Sequence, residues 1–338
     1  MIFHRFSVSG AALHAAAERL WYHETVWARL LLPVSWLFAR IAKLRRWAYR
    51  RGVKQVTRLR VPVIVVGNIS VGGTGKTPLV VWLAGLLKQA GFKPGIVSRG
   101  YGGAAFTRPQ DVIPESEPDM VGDEAVLISR RTLCPMVVGP DRAAAARHLL
   151  EHALCDVIIA DDGLQHYALG RDIEIAVVDG TRRFGNGFCL PAGPLREAVD
   201  RLEEVDFVVC HGKPNAGEYT MRLEGDTALR VAGNGMRCRL ADLGRLQVHA
   251  VTGIGNPIRF FEHLKSFGLT FDIRVFPDHH RYRRDDIAFP DRAPVLMTEK
   301  DAVKCRAIAD DRHWYVPIHA VTDLGGDLLA RLKVETDG

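Results

Sequence analysis

The chain has 338 residues, 47% hydrophobic and 25% charged, an ordinary globular composition with room for about two domains. Its net charge of +6 is unevenly spread: twelve lysines and arginines but only two acidic residues fall within residues 1–60, so the rest of the chain is net acidic. That distribution argues against a basic nucleic-acid-binding body, and six scattered cysteines with no C-x-x-C pair argue against a zinc or disulfide framework.

Residues 11–50 read as helix, Ala-rich at first and then carrying Leu20, Trp21, Val26, Trp27, Leu30, Leu31, Trp36, Leu37, Phe38, Ile41, Leu44 and Trp47. The longest uncharged core is residues 30–39, interrupted by Pro33. It falls short of the roughly 20 apolar residues a membrane span needs. Charges enter the apolar run and no small-residue cleavage site closes it, which is unlike a signal peptide. What remains is an amphipathic helical pair with a basic end, Arg40, Lys43, Arg45, Arg46, Arg50, Arg51 and Lys54. This suits lying in an anionic membrane interface, the alternative being a helix packed on its own domain with a solvated basic face.

Residues 63–79, VIVVGNISVGGTGKTPL, then set the organisation of the chain. An aliphatic run reads as a buried parallel strand, followed by a loop with Gly67, Gly72, Gly73, Thr74 and Gly75, then Lys76-Thr77 and an apolar helix over residues 79–87. Glycines let backbone N–H groups curl around an anion, and the helix N-terminus adds partial positive charge. Lys76 is placed for the outer phosphates of a nucleotide and the Thr77 hydroxyl for the Mg2+ they carry. Ser70 stands where the generic phosphate-loop pattern has its first glycine, but Gly72 and Gly73 supply the same freedom.

A second strand, residues 94–98, ends in Arg99-Gly100-Tyr101, which puts a cation and an aromatic ring at the carboxyl edge where open α/β sheets bind ligands. A polar loop over residues 106–120 leads to Val121-Gly122-Asp123-Glu124 and a helix over 125–131. On residue type alone Asp123 reads as readily as a helix cap as anything else. A short strand at 136–138 ends in GPDR, and a buried strand at 157–160 ends in Asp161-Asp162-Gly163, followed by Leu164-Gln165-His166. An apolar strand running into aspartates is the usual second half of a phosphate-loop site, where a carboxylate holds magnesium or its water.

Strands at 173–178 and 207–210 flank a long Gly-, Pro- and Arg-rich segment, residues 181–197, whose Arg182, Arg183 and Arg196 are candidates for a second anion. Residues 219–231 read as two short strands about a Glu-Gly-Asp turn, a hairpin connector. From Gln247 onward β/α alternation resumes, with strands at 247–253, 271–276 and 294–298, the sequence PDHHRY at 277–282, and Glu299-Lys300-Asp301 before a final helix.

Taken in order, GNISVGGTGKTP, SRGYGG, VGDEA, DDGLQH, FGNGFCLPAGPLRE, DHHRY and TEKDAVK resemble the tetraacyldisaccharide 4'-kinase family, the lipid A 4'-kinases of Gram-negative inner membranes. The resemblance covers most of residues 60–305. It implies an ATP-dependent, Mg2+-requiring phosphorylation of the 4'-hydroxyl of a tetraacylated glucosamine disaccharide 1-phosphate, giving lipid IVA at the cytoplasmic face of the inner membrane, with no nucleic-acid partner. It also implies roles: Asp123 as catalytic base with His279, Lys76 on the transferred phosphoryl, and Thr77 with Asp161 or Asp162 at the metal. Lys300 and Asp301 fall at the nucleotide, and Arg99, Tyr101, His166, Arg182, Arg183 and Arg196 at the acceptor. Cys189 departs from the aliphatic residue expected in its motif.

The expected architecture is α/β: an N-terminal amphipathic segment (1–55), a P-loop NTPase-like, mostly parallel sheet domain (56–215), a two-stranded β-hairpin linker (216–245) and a smaller α/β domain (246–338). Two other functions fit a phosphate loop on such a chain: a kinase of a soluble small molecule, and a membrane-tethered ATPase switch that transfers nothing to an acceptor.

Overall fold

The computed structural model describes residues 19–22, 26–101, 103–104, 107–233, 235–244 and 246–337. The part of the N-terminal helical expectation before residue 19, and residues 23–25, lie outside that set.

Nine strands form the larger sheet: β1 (Val63–Gly67), β2 (Pro94–Ser98), β3 (Gln110–Asp111), β4 (Met136–Val138), β5 (Val157–Asp161), β6 (Ile173–Asp179), β7 (Phe207–His211), β8 (Tyr219–Glu224) and β15 (His319–Thr322). Their order is β15-β8-β7-β6-β1-β5-β2-β4-β3, and every pairing is parallel except those of β3 and β15 at the two edges. β1, β2, β5 and β6 are buried along their whole lengths, because helices cover both faces of the sheet. The helix Lys76–Gln89 covers one face with Leu79, Val80, Leu83, Ala84 and Leu87, a helical-period stripe that is buried completely. Each such leucine contributes about 1.5–3 kcal/mol by leaving water.

A second sheet of six strands, in the order β10-β9-β14-β13-β11-β12, uses β9 (Thr227–Arg230), β10 (Arg237–Arg239), β11 (Gln247–Thr252), β12 (Thr270–Val275), β13 (Val295–Thr298) and β14 (His313–Val316). β11–β14 pair in parallel, and β9 and β10 add an antiparallel edge. The chain is therefore α/β with two mostly parallel, mixed sheets.

Two expectations about the connection fail. The strands on either side of Gly225 do not pair as a hairpin: β8 joins the first sheet and β9 the second. Nor does the second unit run to the C-terminus. β15 returns to pair antiparallel with β8, and Leu324, just before the final helix, with Leu328 and Leu332 of that helix, Gly325–Asp337, belongs to the first sheet's core. The connector is thus two antiparallel crossings side by side, so tight that a Cβ on Gly225 would lie 2.3 Å from the Pro317 carbonyl oxygen. The local turn signal was real, but partner choice was decided by strands nearly a hundred residues away.

The helix Leu32–Arg50 docks by its polar side. Ser35 donates to the Cys189 carbonyl (2.7 Å), and Arg46 pairs with Glu204 (2.9 Å) and Glu197 (3.5 Å). Cys189 itself packs with Ile69 and Leu195 beneath Ala39, where a small apolar side chain fits. Val34, Leu37, Ile41 and Leu44 form a stripe at helical spacing that faces solvent, flanked by exposed Trp27, Trp36 and Trp47. This inverts the ordinary surface helix, which hides its apolar stripe. No helix among the described residues is long and apolar enough to cross a membrane.

Candidate active site

The site lies at the carboxyl ends of β1, β2, β5, β6 and β7, where an open α/β sheet leaves its crevice. At the end of β1 the chain turns through the phosphate loop into its helix. Gly75 has φ +97° and is needed as glycine, since a Cβ there would be strained and would press on Met221 at 3.0 Å. Asn68 donates to the Thr74 hydroxyl (3.3 Å), and the Val71 N–H donates to the Pro194 carbonyl (2.8 Å), so the loop is braced both internally and by the 181–197 segment. Lys76 and Thr77 open the helix.

β5 delivers the two aspartates. Asp162, in the left-handed region at φ +48°, pairs with Lys76 (3.4 Å) and with Arg196 (3.1 Å). Burial alone would raise its pKa; the two cations overcome that and hold it at about 2. Asp161 is buried and accepts from the Ser98 hydroxyl (2.9 Å). Burial, then Glu124 and Asp162, push it up to about 6, against the pull of Lys76 and Ser98. Asp161, pressed by the charges of Glu124 and Asp162 beside a phosphate loop, fits a divalent cation, which would relieve it. Among the described residues no group of three or more His, Cys, Asp or Glu forms a ready-made cage. The donor set therefore suits Mg2+ held largely through nucleotide oxygens, with Thr77 and one of these aspartates completing it.

The raised pKa gives Asp161 a measurable signature. Ionising it costs the folded state stability; the cost is absent below the unfolded pKa near 3.8 and complete above about 6. Asp161→Asn should therefore stabilise the nucleotide-free protein by about 1–3 kcal/mol at pH 8 and leave it unchanged at pH 4. Thermal unfolding at the two pH values checks this; a variant equally destabilised at both would refute the strained carboxylate.

The two units meet at Asp123. Gly122, at φ +95°, brings the start of this helix against the Arg99–Tyr101 turn; a Cβ there would lie 2.6 Å from the Tyr101 carbonyl oxygen. Asp123 is buried, and its Oδ2 lies 3.1 Å from His279 Nδ1, a residue of the second unit in the left-handed region at φ +58°. Lys304 and Lys300 stand 3.6 and 4.0 Å away. Burial would raise the Asp123 pKa; the His279 hydrogen bond, then Lys300 and Lys304, bring it down to about 2. An ionised carboxylate only accepts, so the imidazole carries its proton on Nδ1. Lys300 also binds Glu124 (2.9 Å) and Asp278 (3.1 Å), and the Tyr101 ring lies 5.1 Å from that of His279.

The remaining expected residues divide. Arg99 and Tyr101 are exposed at the mouth of the site. His166 accepts from the Arg142 N–H (3.1 Å), and burial followed by Arg142 pushes its pKa down to about 4, so it is a neutral ring. Arg183 is bound to Glu218 through both carboxylate oxygens (3.0 and 2.9 Å). Arg182 lies over the Tyr22 ring. Asp301 is not available to a nucleotide: it is fully buried, accepting from Thr252, Thr298, Tyr282 and the Gly253 N–H inside the second unit. Sequence reading passed over Glu124, Asp278 and Lys304, although each adjoins or shares a motif that was recognised. It also passed over buried Arg142, whose place after a strand-end Gly-Pro-Asp was the available signal.

The family model described as tetraacyldisaccharide-1-P 4'-kinase matches residues 27–333. The tetraacyldisaccharide 4'-kinase of Nitrosococcus oceani is 51% identical over 330 residues, covering 95% of this chain and 97% of the relative. That of Methylobacillus flagellatus is 53% identical over 319 residues, covering 93% and 95%. The crystal structure of LpxK from Aquifex aeolicus in complex with ATP has a TM-score of 0.77 at 28% identity, covering 91% of this chain and 99% of that one. On this extent of similarity, the chain belongs to the tetraacyldisaccharide 4'-kinase family.

Proposed function

We propose that the chain transfers the terminal phosphoryl group of ATP to the 4'-hydroxyl of a tetraacyldisaccharide 1-phosphate through Asp123 and Lys76, at a membrane surface engaged by its exposed helix. The family assignment makes it a tetraacyldisaccharide 4'-kinase, an ATP-dependent phosphotransferase of lipid A biosynthesis. The observation that carries the mechanism is the 3.1 Å contact between Asp123 and His279, a buried carboxylate and an orienting imidazole drawn from two units and surrounded by cations.

A sugar hydroxyl is a weak nucleophile. Asp123 takes its proton as the oxygen attacks phosphorus, while His279 fixes the carboxylate's orientation. Lys76 leaves Asp162 for the phosphoryl oxygens, where it stabilises the charge that develops, and the loop N–H groups hold the rest of the triphosphate. Thr77 with Asp161 or Asp162 would hold Mg2+, which would supply further neutralisation of phosphate charge. Arg99, Tyr101, His166 and Arg196 line the approach of the acceptor, and closing the two units over it excludes water that would otherwise consume ATP. Transfer of labelled phosphate from ATP to tetraacyldisaccharide 1-phosphate in detergent micelles tests the reading. Lipid product, with ATP consumption dependent on the acceptor, is expected; ATP hydrolysis at the same rate without acceptor would overturn it.

The apolar stripe of Leu32–Arg50 supports membrane association, since it exposes hydrocarbon and tryptophan above a basic end. The matching surface is the anionic cytoplasmic leaflet of the inner membrane. Changing Leu37, Ile41 and Leu44 together to Ser removes about 1 kcal/mol of interfacial burial per side chain. Vesicle partitioning should weaken on the order of 100-fold with the fold intact. Unchanged sedimentation with anionic vesicles would refute the assignment.

A further inference from the structure

Besides the Asp123–His279 contact, the second unit meets the phosphate-loop crevice at a place the mechanism does not use. At the other, Arg259, on the helix Pro257–Ser266, reaches across to the first sheet. Its guanidinium pairs with Asp179, the last residue of β6, and donates to His211 Nδ1, the last residue of β7, at 2.7 Å. An arginine cannot accept, so His211 Nδ1 is unprotonated. A Cβ on Gly75 would lie 3.6 Å from that same nitrogen, so the cluster abuts the end of the phosphate loop.

The segment between the two contacts is Gly253-Ile254-Gly255-Asn256 at the carboxyl end of β11. A Cβ on Gly255 would stand 3.4 Å from Asp278 Oδ2, beside His279. The loop therefore runs from the Asp123–His279 side of the crevice to the Asp179–His211 side. Within it, the Asn256 side-chain oxygen is buried and has no hydrogen-bond partner. A buried acceptor left unpaired is costly, and a ligand donor would satisfy it.

Sheet order gives the direction. Asp161 and the Asp123 helix lie on the β5–β2 side of β1, and the reacting end of the triphosphate must face them. A nucleotide laid along the loop then carries its nucleoside the other way, over β6 and β7. We infer that Arg259 is a positioning residue for the nucleoside half of ATP: its grip on Asp179 and His211 seats the Gly253–Asn256 loop over β6 and β7, where the Asn256 side-chain oxygen accepts from the adenosine. The assignment rests on the kinase reading and extends it to the other end of the nucleotide.

Calorimetric titration of the full-length protein with ATP and, separately, with inorganic tripolyphosphate tests it. Arg259→Ala is expected to weaken ATP binding at least 10-fold and to raise KM for ATP with KM for the lipid unchanged. Tripolyphosphate affinity stays the same, and Arg259→Lys recovers part of the loss. Asn256→Ala, which leaves the ion pair in place, should show the same selective loss for ATP and carries the test should Arg259→Ala fail to fold. Equal loss of ATP and tripolyphosphate, or loss of neither, overturns the assignment. A wild-type protein that binds ATP but makes no lipid product overturns the kinase reading instead.

Discussion

Asp123→Asn is expected to lower kcat for lipid phosphorylation by about 10²–10⁴-fold, the range a positioned base supplies, while ATP affinity stays within a few-fold. The amide keeps the size of the carboxylate, and its one oxygen still accepts from the Glu124 N–H, so the helix start is preserved, while its NH2 faces His279 Nδ1 and donates to the other tautomer of the neutral ring. What it loses is the ability to take a proton. Asp123 is also the anion that Lys300 and Lys304 surround, but Lys300 retains Glu124 and Asp278, and Lys304 retains Asp301. The variant should therefore fold. Single-turnover transfer from labelled ATP, alongside equilibrium ATP binding, separates the outcomes. A kcat loss below tenfold would remove Asp123 from the proton transfer.

Lys76→Ala should have the second large effect, a kcat loss on the order of 10²–10³-fold, comparable with deleting one preorganised charge from a transition-state site. ATP binding should weaken far less, because loop N–H groups and the helix N-terminus still hold the triphosphate. The empty protein tolerates the change: Asp162 keeps Arg196 at 3.1 Å, and Asp161, which loses the pull of Lys76, keeps the Ser98 hydroxyl. Lys76→Arg should not rescue, since a planar fork does not replace a compact ammonium in a tight loop. The measurement is kcat and KM for ATP with saturating acceptor, and a variant impaired only in KM would show that Lys76 binds substrate and transition state alike.

Much of the candidate site was legible because its signals are local. A buried strand running into GGTGKT, and another running into two aspartates, each carry their signal within a dozen residues. Sheet order then makes them neighbours, β1 beside β5. The partnership of Asp123 with His279 spans 156 residues and entered only through resemblance to a family; on residue type alone a helix cap was as good a reading. What failed was equally physical. Residues 319–322 carry no mark that sends them back to β8, since an edge strand is chosen by the sheet that has room for it. Asp301 and Arg183 are polar residues in promising motifs, yet burial demanded partners for both, and Thr252, Thr298, Tyr282 and Glu218 took them. Arg259 had no motif of its own and became visible only as a contact between units.

A double-mutant cycle on Asp123→Asn and His279→Gln reads whether the two units jointly build the proposed proton acceptor. If His279 acts through Asp123, the double variant should be no slower in single-turnover transfer than Asp123→Asn alone, because the imidazole has nothing left to orient. Fully multiplicative losses would show instead that the two residues act independently on the reaction.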